Sequence, residues 1–445
     1  MTSDGTGHPS VRAWLDDHAN LETGRTGDPT WAPGPAAPTL ARITELVELL
    51  GSPQTSYPVV HVTGTNGKTS VARMVASLLA ARGLSVGLYT SPHLQRVNER
   101  LAWNGRSVDD DDLDDVLEAV RRVEDMMPAR PSYFEILTAA AFAWFADVAV
   151  DVAVVEVGLG GRWDATNVVT GDVAVITNVG LDHVEYLGAD RASIATEKAG
   201  IVKEGSVLVL GETDPELAPI FEGAARPDRV YRRDADFGVR ANRMAHNGRM
   251  LDLVSPGGVH DEVFVPLHGR HQGDNAAIAL AAAEAFFGGA ALEDDVVEEG
   301  FAAVRVPGRM EVVARQPLVM LDGAHNPAGA AALRDALAEE FASEERTLVV
   351  GMLREKDPAE MLSALGVGDA SRLIACLPPS PRALDPEAVA AAARSLGIPP
   401  DSIEVTPSVG EAISRALATT AEHGQIIVTG SLYTAGAARE VLVRR

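Results

Sequence analysis

Cysteine is nearly absent. Cys376 is the only one in the 445-residue chain, which excludes an intrachain disulfide and a thiolate metal cluster and gives no sign of an oxidising compartment. Long apolar runs are also missing: no stretch approaches the about eighteen residues that a membrane-crossing helix needs. The segment MTSDGTGHPS (residues 1–10) lacks the basic start and apolar stretch of a secretory signal, so a cytoplasmic location is expected. Positive charge is in deficit, with 38 Lys and Arg against 63 Asp and Glu and a formal net charge of −25. That field repels the phosphates of nucleic acid and of anionic membranes, so neither is an expected partner. An anionic small ligand would need a local cluster of cations and helix N-termini set against the global charge. What is present, 46% hydrophobic and 23% charged residues, describes a soluble globular chain whose length predicts two domains.

The most informative segment is VVHVTGTNGKTS (residues 59–70). An apolar run that breaks into glycines and then a lysine is how a strand hands a triphosphate to a helix. Backbone N–H groups freed by Gly64 and Gly67 converge on phosphate oxygens, Lys68 neutralises them, and the Thr69 hydroxyl faces a Mg²⁺ ion. The generic phosphate loop has glycine six residues before the lysine, where this chain has Val62; the shorter form GTNGKT remains, with a chance glycine-lysine turn as the alternative.

Elsewhere the periodicity alternates. Weak patterning and the Pro/Gly-rich connector GRTGDPTWAPGPAAP (residues 24–38) come before an organised chain that starts near Thr39. A helix-patterned stretch (40–50), the strand and loop, a helix (70–82) and a strand (85–90) form a βαβ unit. A helix over 134–145 and two β-branched strands over 151–157 and 173–179 extend it into a parallel, doubly wound sheet. Residues 228–267 read as short antiparallel strands broken at Asn247-Gly248 and at Pro256-Gly257-Gly258, and helix returns at 275–287. After a boundary near Val306, strands at 318–321, 347–351, 372–376 and 426–429 alternate with helices at 328–341, 358–365 and 386–396. The acidic run DDDDLDD (109–115) reads as a solvated helix start favoured by the helix dipole, with a metal site as the alternative.

Open parallel sheets bind ligands at the carboxyl ends of their strands. Ser91 in YTSPHL, Glu156 in VEVGLGG, and Asp182 and His183 in NVGLDH all stand there, and Lys198 in RASIATEKAGI follows soon after. Ser91, Glu156 and His183 together offer oxygen and nitrogen ligands to a divalent ion, with Mg²⁺ favoured beside phosphates. Singly each has a plainer reading: a Ser-Pro turn, a pairing of Glu156 with Arg162, a hydrogen-bonded structural histidine, a surface lysine.

GTNGKTS (64–70), TSPHL (90–94), VEVGLGGRWDATN (155–167), LDH (181–183), EKAGI (197–201), HQGDN (271–275), PGR (307–309) and DGAHNP (322–327) occur in that order. This series resembles the folylpolyglutamate and dihydrofolate synthases of the Mur ligase superfamily, from about Thr39 to the end. The shorter loop is no departure there. The resemblance implies an α/β protein of two doubly wound domains: a P-loop ATPase-like ATP-binding domain over 39–305, after an extension and connector over 1–38, and a smaller Rossmann-like glutamate ligase domain over 306–445. It implies ATP-dependent ligation of L-glutamate to dihydropteroate, folate or both through an acyl phosphate, by a monomer.

The resemblance also implies roles for individual residues. Gly64, Thr65, Asn66, Gly67, Lys68, Thr69 and Ser70 cradle ATP, with Asn275 and Arg309 reaching it from the domain junction and Asp322 at its ribose. Ser91 and Glu156 hold a first Mg²⁺. His183 helps hold a second, with Lys198 as a carbamate, because an ammonium would repel the ion whereas a carbamate is an anionic oxygen ligand. Lys68, Lys198, His183 and Arg309 form the catalytic set. His325 and Ser431 receive the glutamate; Phe134, Asp164, Ala165 and Arg42 line the pteroate pocket. Two rival readings are another amide ligase of the superfamily, for which the 63 residues before Gly64 leave too little room for a nucleotide-sugar domain, and a nucleotide-switched regulator.

Overall fold

Valine-rich runs form strands covered on both faces. The computed structural model describes residues 10–24 and 39–443; apart from Gly24, the connector lies outside them. Eight strands make the first sheet: β1 (Val59–Thr63), β2 (Val86–Tyr89), β3 (Leu101–Trp103), β4 (Arg106–Ser107), β5 (Val152–Glu156), β6 (Val173–Ile176), β7 (Val207–Leu210) and β8 (Arg229–Arg232). Their order is β4-β3-β2-β5-β1-β6-β7-β8, parallel except for the antiparallel edge pairings β2/β3 and β3/β4. Because β1 has β5 on one side and β6 on the other, its carboxyl end opens at a topological switch point.

Side chains alternate between two cores. Val60 and Val62 of β1 pack with the helices Lys68–Ala81 and His271–Phe286, whereas Val59 faces the helices Ala41–Leu49, Asp110–Glu124 and Tyr133–Asp147. The sheet β9 (Gly238–Ala245), β10 (Gly248–Val254) and β11 (Val259–Val265) is antiparallel as expected and closes the first core. Residues 229–232 depart from the expectation, since β8 pairs in parallel with β7 and extends the main sheet.

The second sheet contains β12 (Glu311–Arg315), β13 (Leu318–Leu321), β14 (Arg346–Val350), β15 (Arg372–Cys376), β16 (Ile403–Thr406) and β17 (Gln425–Thr429), in the order β12-β13-β17-β14-β15-β16. Only β12 is antiparallel. Helices Pro327–Glu340, Pro358–Leu365 and Pro386–Ser395 cover one face, and Val409–Thr419 and Leu432–Val443 the other. Among the described residues no helix is long and apolar enough to cross a membrane.

The amino-terminal segment is more organised than its sequence suggests. Ser10 caps a helix, Val11–Asp16, whose Val11, Trp14 and Leu15 are buried in the core shared with Leu113 and Leu117. Trp14 Nε1 donates to Glu124 Oε2 (2.7 Å), and His18 Nε2 lies 2.7 Å from Glu124 Oε1. Six residues are too few for a helical period to stand out. The acidic run is a helix start, as its dipole argument requires: the Asp109 carboxylate caps Asp112 N, and Asp110–Glu124 follows.

Candidate functional site

The phosphate-loop segment leaves β1 in a conformation that demands its glycines. Gly67 sits at φ +83° as N-cap of the helix Lys68–Ala81, and a Cβ there would meet Asn275 Oδ1 at 2.5 Å. One at Gly64 (φ +156°) would lie 1.8 Å from Thr177 Oγ1. The segment after β6 fastens the loop. Thr65 N donates to Asn178 O (2.9 Å), Asn66 N to Asn178 Oδ1 (3.0 Å) and Thr177 Oγ1 to Asn66 O (2.6 Å). Gly180 N donates to the Thr65 hydroxyl at 2.9 Å, and Ser70 is buried in the first turn. Thr177 and Asn178 carry no site signal in the sequence beyond closing an apolar strand.

Two lysine amines converge on this loop. Lys68 Nζ donates to Gly64 O (3.0 Å) and Thr65 O (3.2 Å), and Lys198 Nζ donates to the same Gly64 carbonyl (2.9 Å). Burial pushes both amines down, and the Lys68 charge contributes to bringing Lys198 to about 7. Glu156 faces them from the end of β5. It is 1% exposed, and burial pushes its carboxyl up against the opposing pull of Lys68. Thr69 Oγ1 donates to Glu156 Oε1 (2.7 Å), and Ser91 N to Glu156 Oε2 (3.3 Å). The alternative pairing with Arg162 is not formed, since that side chain belongs to an exposed residue. Thr69, Arg309, Arg73, Thr90 and His93 line a cavity of about 30 Å³ beside this group.

The second domain reaches the loop through Asp182. Its Oδ1 accepts from Lys356 Nζ (2.6 Å) and its Oδ2 from Asn326 Nδ2 (3.0 Å), with His325 Nε2 at 3.5 Å. Asn326 Nδ2 also donates to Asn66 Oδ1 (3.0 Å), so one amide joins the DGAHNP turn to the phosphate loop. Burial would raise the Asp182 carboxyl, but His325, His183 and Lys356 hold it far below the carboxylate range. Neighbouring His183 adopts φ +50°, a left-handed conformation uncommon for a residue with a Cβ. Burial, with Lys356 and Lys68, pushes its imidazole down to about 4, leaving a neutral ring with a lone pair for an electrophile. Lys356 and Asn326 escaped the sequence reading because their partner Asp182 lies 174 and 144 residues away.

Several expected residues have structural partners. Asp322 accepts from Met310 N (3.0 Å) and Ala324 N (2.8 Å), shaping the turn. The Ser431 hydroxyl accepts from Thr434 N (3.1 Å) at the start of the last helix and is buried. Asn275 Nδ2 donates to Gln272 Oε1 (2.9 Å) while its oxygen faces Gly67.

A separate set gathers at Gly158. A Cβ there would meet Phe134 Cζ at 2.6 Å and Asp164 Oδ2 at 3.2 Å, so the ring and the carboxylate crowd the same point. Asp164 is fixed by Leu159 N (2.9 Å), Thr166 N (3.0 Å) and Thr166 Oγ1 (2.5 Å). Ala165 is buried beside it. Arg42 does not stand free in this region: its Nε is within 3.3 Å of both Glu135 oxygens.

The donors suit a hard cation near phosphate better than a preformed metal cage. Among the described residues no three of His, Cys, Asp and Glu are grouped closely enough to hold a metal ion. A buried carboxylate whose hydrogen bonds come from the Thr69 hydroxyl and the Ser91 amide fits Mg²⁺, which takes one or two carboxylates and completes its shell with water and phosphate oxygens.

A phosphate loop on a doubly wound domain, bridged by an asparagine to a second α/β domain, defines a ligase of the Mur type. Residues 62–283 match the Mur ligase middle domain and 308–432 the Mur ligase glutamate ligase domain. A dihydrofolate synthase/folylpolyglutamate synthase of Mycobacterium tuberculosis is 43% identical, over 94% of this chain and 92% of that protein. A Lacticaseibacillus casei folylpolyglutamate synthase is 36% identical over 90% and 94%. The M. tuberculosis folylpolyglutamate synthase structure complexed with ADP has a TM-score of 0.89 at 42% identity and covers 98% of both chains. The Escherichia coli FolC structure in complex with DHPP and ADP has a TM-score of 0.84 at 29% identity, covering 100% of both. The chain belongs to the folylpolyglutamate synthase/dihydrofolate synthase branch of the Mur ligases, which are ATP-dependent ligases.

Proposed function

We propose that this enzyme joins L-glutamate to dihydropteroate and to reduced folates, through an acyl phosphate formed with ATP, with the domains divided at 305/306. The observation that carries the reading is the Asn326 bridge, which sets the DGAHNP turn of the second domain against Asn66 and Asp182 at the phosphate loop. A carboxylate brought against a triphosphate sets anion on anion, so the protein's work is positioning and charge compensation. Loop amides from Gly64 to Ser70 and the Lys68 ammonium receive the phosphates. Arg309 reaches them from the domain junction, and Asp322 and Asn275 serve the nucleoside. Phe134 stacks on the pteridine ring and Asp164 accepts from its amino edge, with Ala165 and Arg42 completing the pocket. His325 and Ser431 receive glutamate, and the closed junction excludes water from the activated acyl group.

Mg²⁺, held by Ser91 and Glu156 at one position and by His183 with carbamylated Lys198 at another, supplies the remaining charge neutralisation when bound. An amine must be neutral to take up CO₂, and a pKa lowered to about 7 leaves about half of Lys198 neutral at that pH. Protein kept in ¹³C-bicarbonate is therefore expected to show a carbamate carbonyl resonance that is lost in Lys198→Arg. A spectrum without it, from protein with the second metal position filled, contradicts the assignment.

The reading is tested by following phosphate release with ATP, Mg²⁺, glutamate and an acceptor, each omitted in turn. Release is expected only in the complete mixture. ATP hydrolysis indifferent to glutamate and pteroate would be the behaviour of a switch and would overturn it.

A further inference from the structure

His61 belongs to β1, the strand that leads into the phosphate loop, yet its side chain turns away from that loop. It is fully buried on the face of the sheet opposite Val60 and Val62. Its Nε2 lies 2.9 Å from Thr166 Oγ1, and Thr166 Oγ1 donates to Asp164 Oδ1 at 2.5 Å. Burial raises the Asp164 carboxyl, but the donors gathered on it from Leu159 N, Thr166 N and the Thr166 hydroxyl oppose that rise. With the carboxylate ionised, the hydroxyl's one proton goes to it, so toward His61 the hydroxyl can only accept. The ring must therefore carry its proton on Nε2, leaving Nδ1 bare, and Nδ1 has no partner among the described residues. Burial, with Lys203, pushes the imidazole down to about 3, so the ring is neutral.

A buried histidine that serves merely as core would have both nitrogens satisfied or be replaced by an apolar residue at no loss. Here the unpaired Nδ1 is tolerated, and what the ring provides is a single donor aimed at Thr166. That donor stops the hydroxyl from rotating away and polarises it, strengthening its bond to Asp164. With Leu159 N and Thr166 N on the same carboxylate, Asp164 is held against Gly158 where the Phe134 ring also arrives.

We propose that His61 is a positioning residue for the acceptor pocket: through Thr166 it fixes the Asp164 carboxylate in the orientation that receives the amino and N–H edge of a flat, pteridine-like heterocycle. The inference rests on the assignment of Asp164 to the acceptor given above. Its effect belongs in acceptor binding, because Asp164 meets the ring end of the substrate rather than the carboxylate that reacts.

The test compares His61→Leu, which removes the donor, with His61→Gln, whose amide nitrogen reaches the place of Nε2. In His61→Leu the KM for dihydropteroate is expected to rise about tenfold, with the KM values for ATP and glutamate within about twofold, and His61→Gln is expected to recover most of the loss. An unchanged acceptor KM in His61→Leu, or a loss spread evenly over all three substrates, would overturn the proposal. Asp164→Asn separates the two levels of the argument. If it leaves the acceptor KM unchanged, the acceptor assignment fails; if it raises that KM while His61→Leu does not, the positioning role alone fails. Should the leucine variant not fold, ¹⁵N NMR of the wild-type histidines decides: a neutral His61 protonated on Nε2 is expected, and a proton on Nδ1 would overturn the proposal.

Discussion

Lys68→Ala is expected to lower kcat/KM by about 10³ or more, the scale lost when a preorganised donor to developing charge is removed, while the thermal midpoint stays at or above that of the wild type. The two halves of this result have one cause. Lys68 is half-buried, and the burial of its amine depresses it despite the charges of Glu156 and Asp182. The fold holds a cation there at a cost, and among the described residues its hydrogen bonds run to the carbonyls of the loop it serves, Gly64 and Thr65. Removing it relieves that cost and takes away the charge that phosphate requires. Coupled glutamate ligation and a melting curve on the same preparation measure both. A wild-type rate would remove the nucleotide from this loop, and a collapsed midpoint would make Lys68 structural.

Glu156→Gln is expected to raise the Mg²⁺ concentration for half-maximal activity by about tenfold or more and to lower the maximal rate by about 10². Without metal, its stability should be equal to or greater than wild type at neutral pH. Burial raises the Glu156 carboxyl above its unfolded value of 4.5. The folded state then binds the proton more tightly than the unfolded one, so this group's stabilising contribution is present below the unfolded pKa and is lost as pH rises through the folded one. Glutamine is neutral throughout and removes that pH dependence. Metal titrations of activity, and melting curves in chelator across pH, check the two effects. A Mg²⁺ titration matching wild type would remove Glu156 from the metal.

These contrasts also explain what the sequence makes legible. Residues 59–70 declare themselves because a phosphate loop needs glycine where the chain must approach closely, and Gly67 against Asn275 shows that requirement locally. The alternating valines of β1 and β5 declare a sheet covered on both faces. Less visible are elements too short to carry a period, among them the helix Val11–Asp16 and the four-residue edge strand β16. Least visible are groups whose meaning lies in a distant partner. Lys356 carries no sequence signal until Asp182 is placed beside it, and Asn326 stands out from the DGAHNP run only when its amide is found between Asn66 and Asp182. His61 reads as one more strand residue, because Thr166 is 105 residues away. Arg42 belongs with them: its position matches a pocket residue, and the carboxylate that holds it, Glu135, is 93 residues away.

The central claim is that one site, assembled where the Asn326 bridge meets the phosphate loop, adds glutamate to an acceptor carboxylate. Its most direct measurement is mass spectrometry of reactions containing purified enzyme, ATP, Mg²⁺, glutamate and either dihydropteroate or a reduced folate. Each acceptor is expected to gain one glutamyl unit, dihydropteroate faster, with both products lost together in Lys68→Ala. Product from a single acceptor would refute the dual activity, and no product from either would contradict the account as a whole.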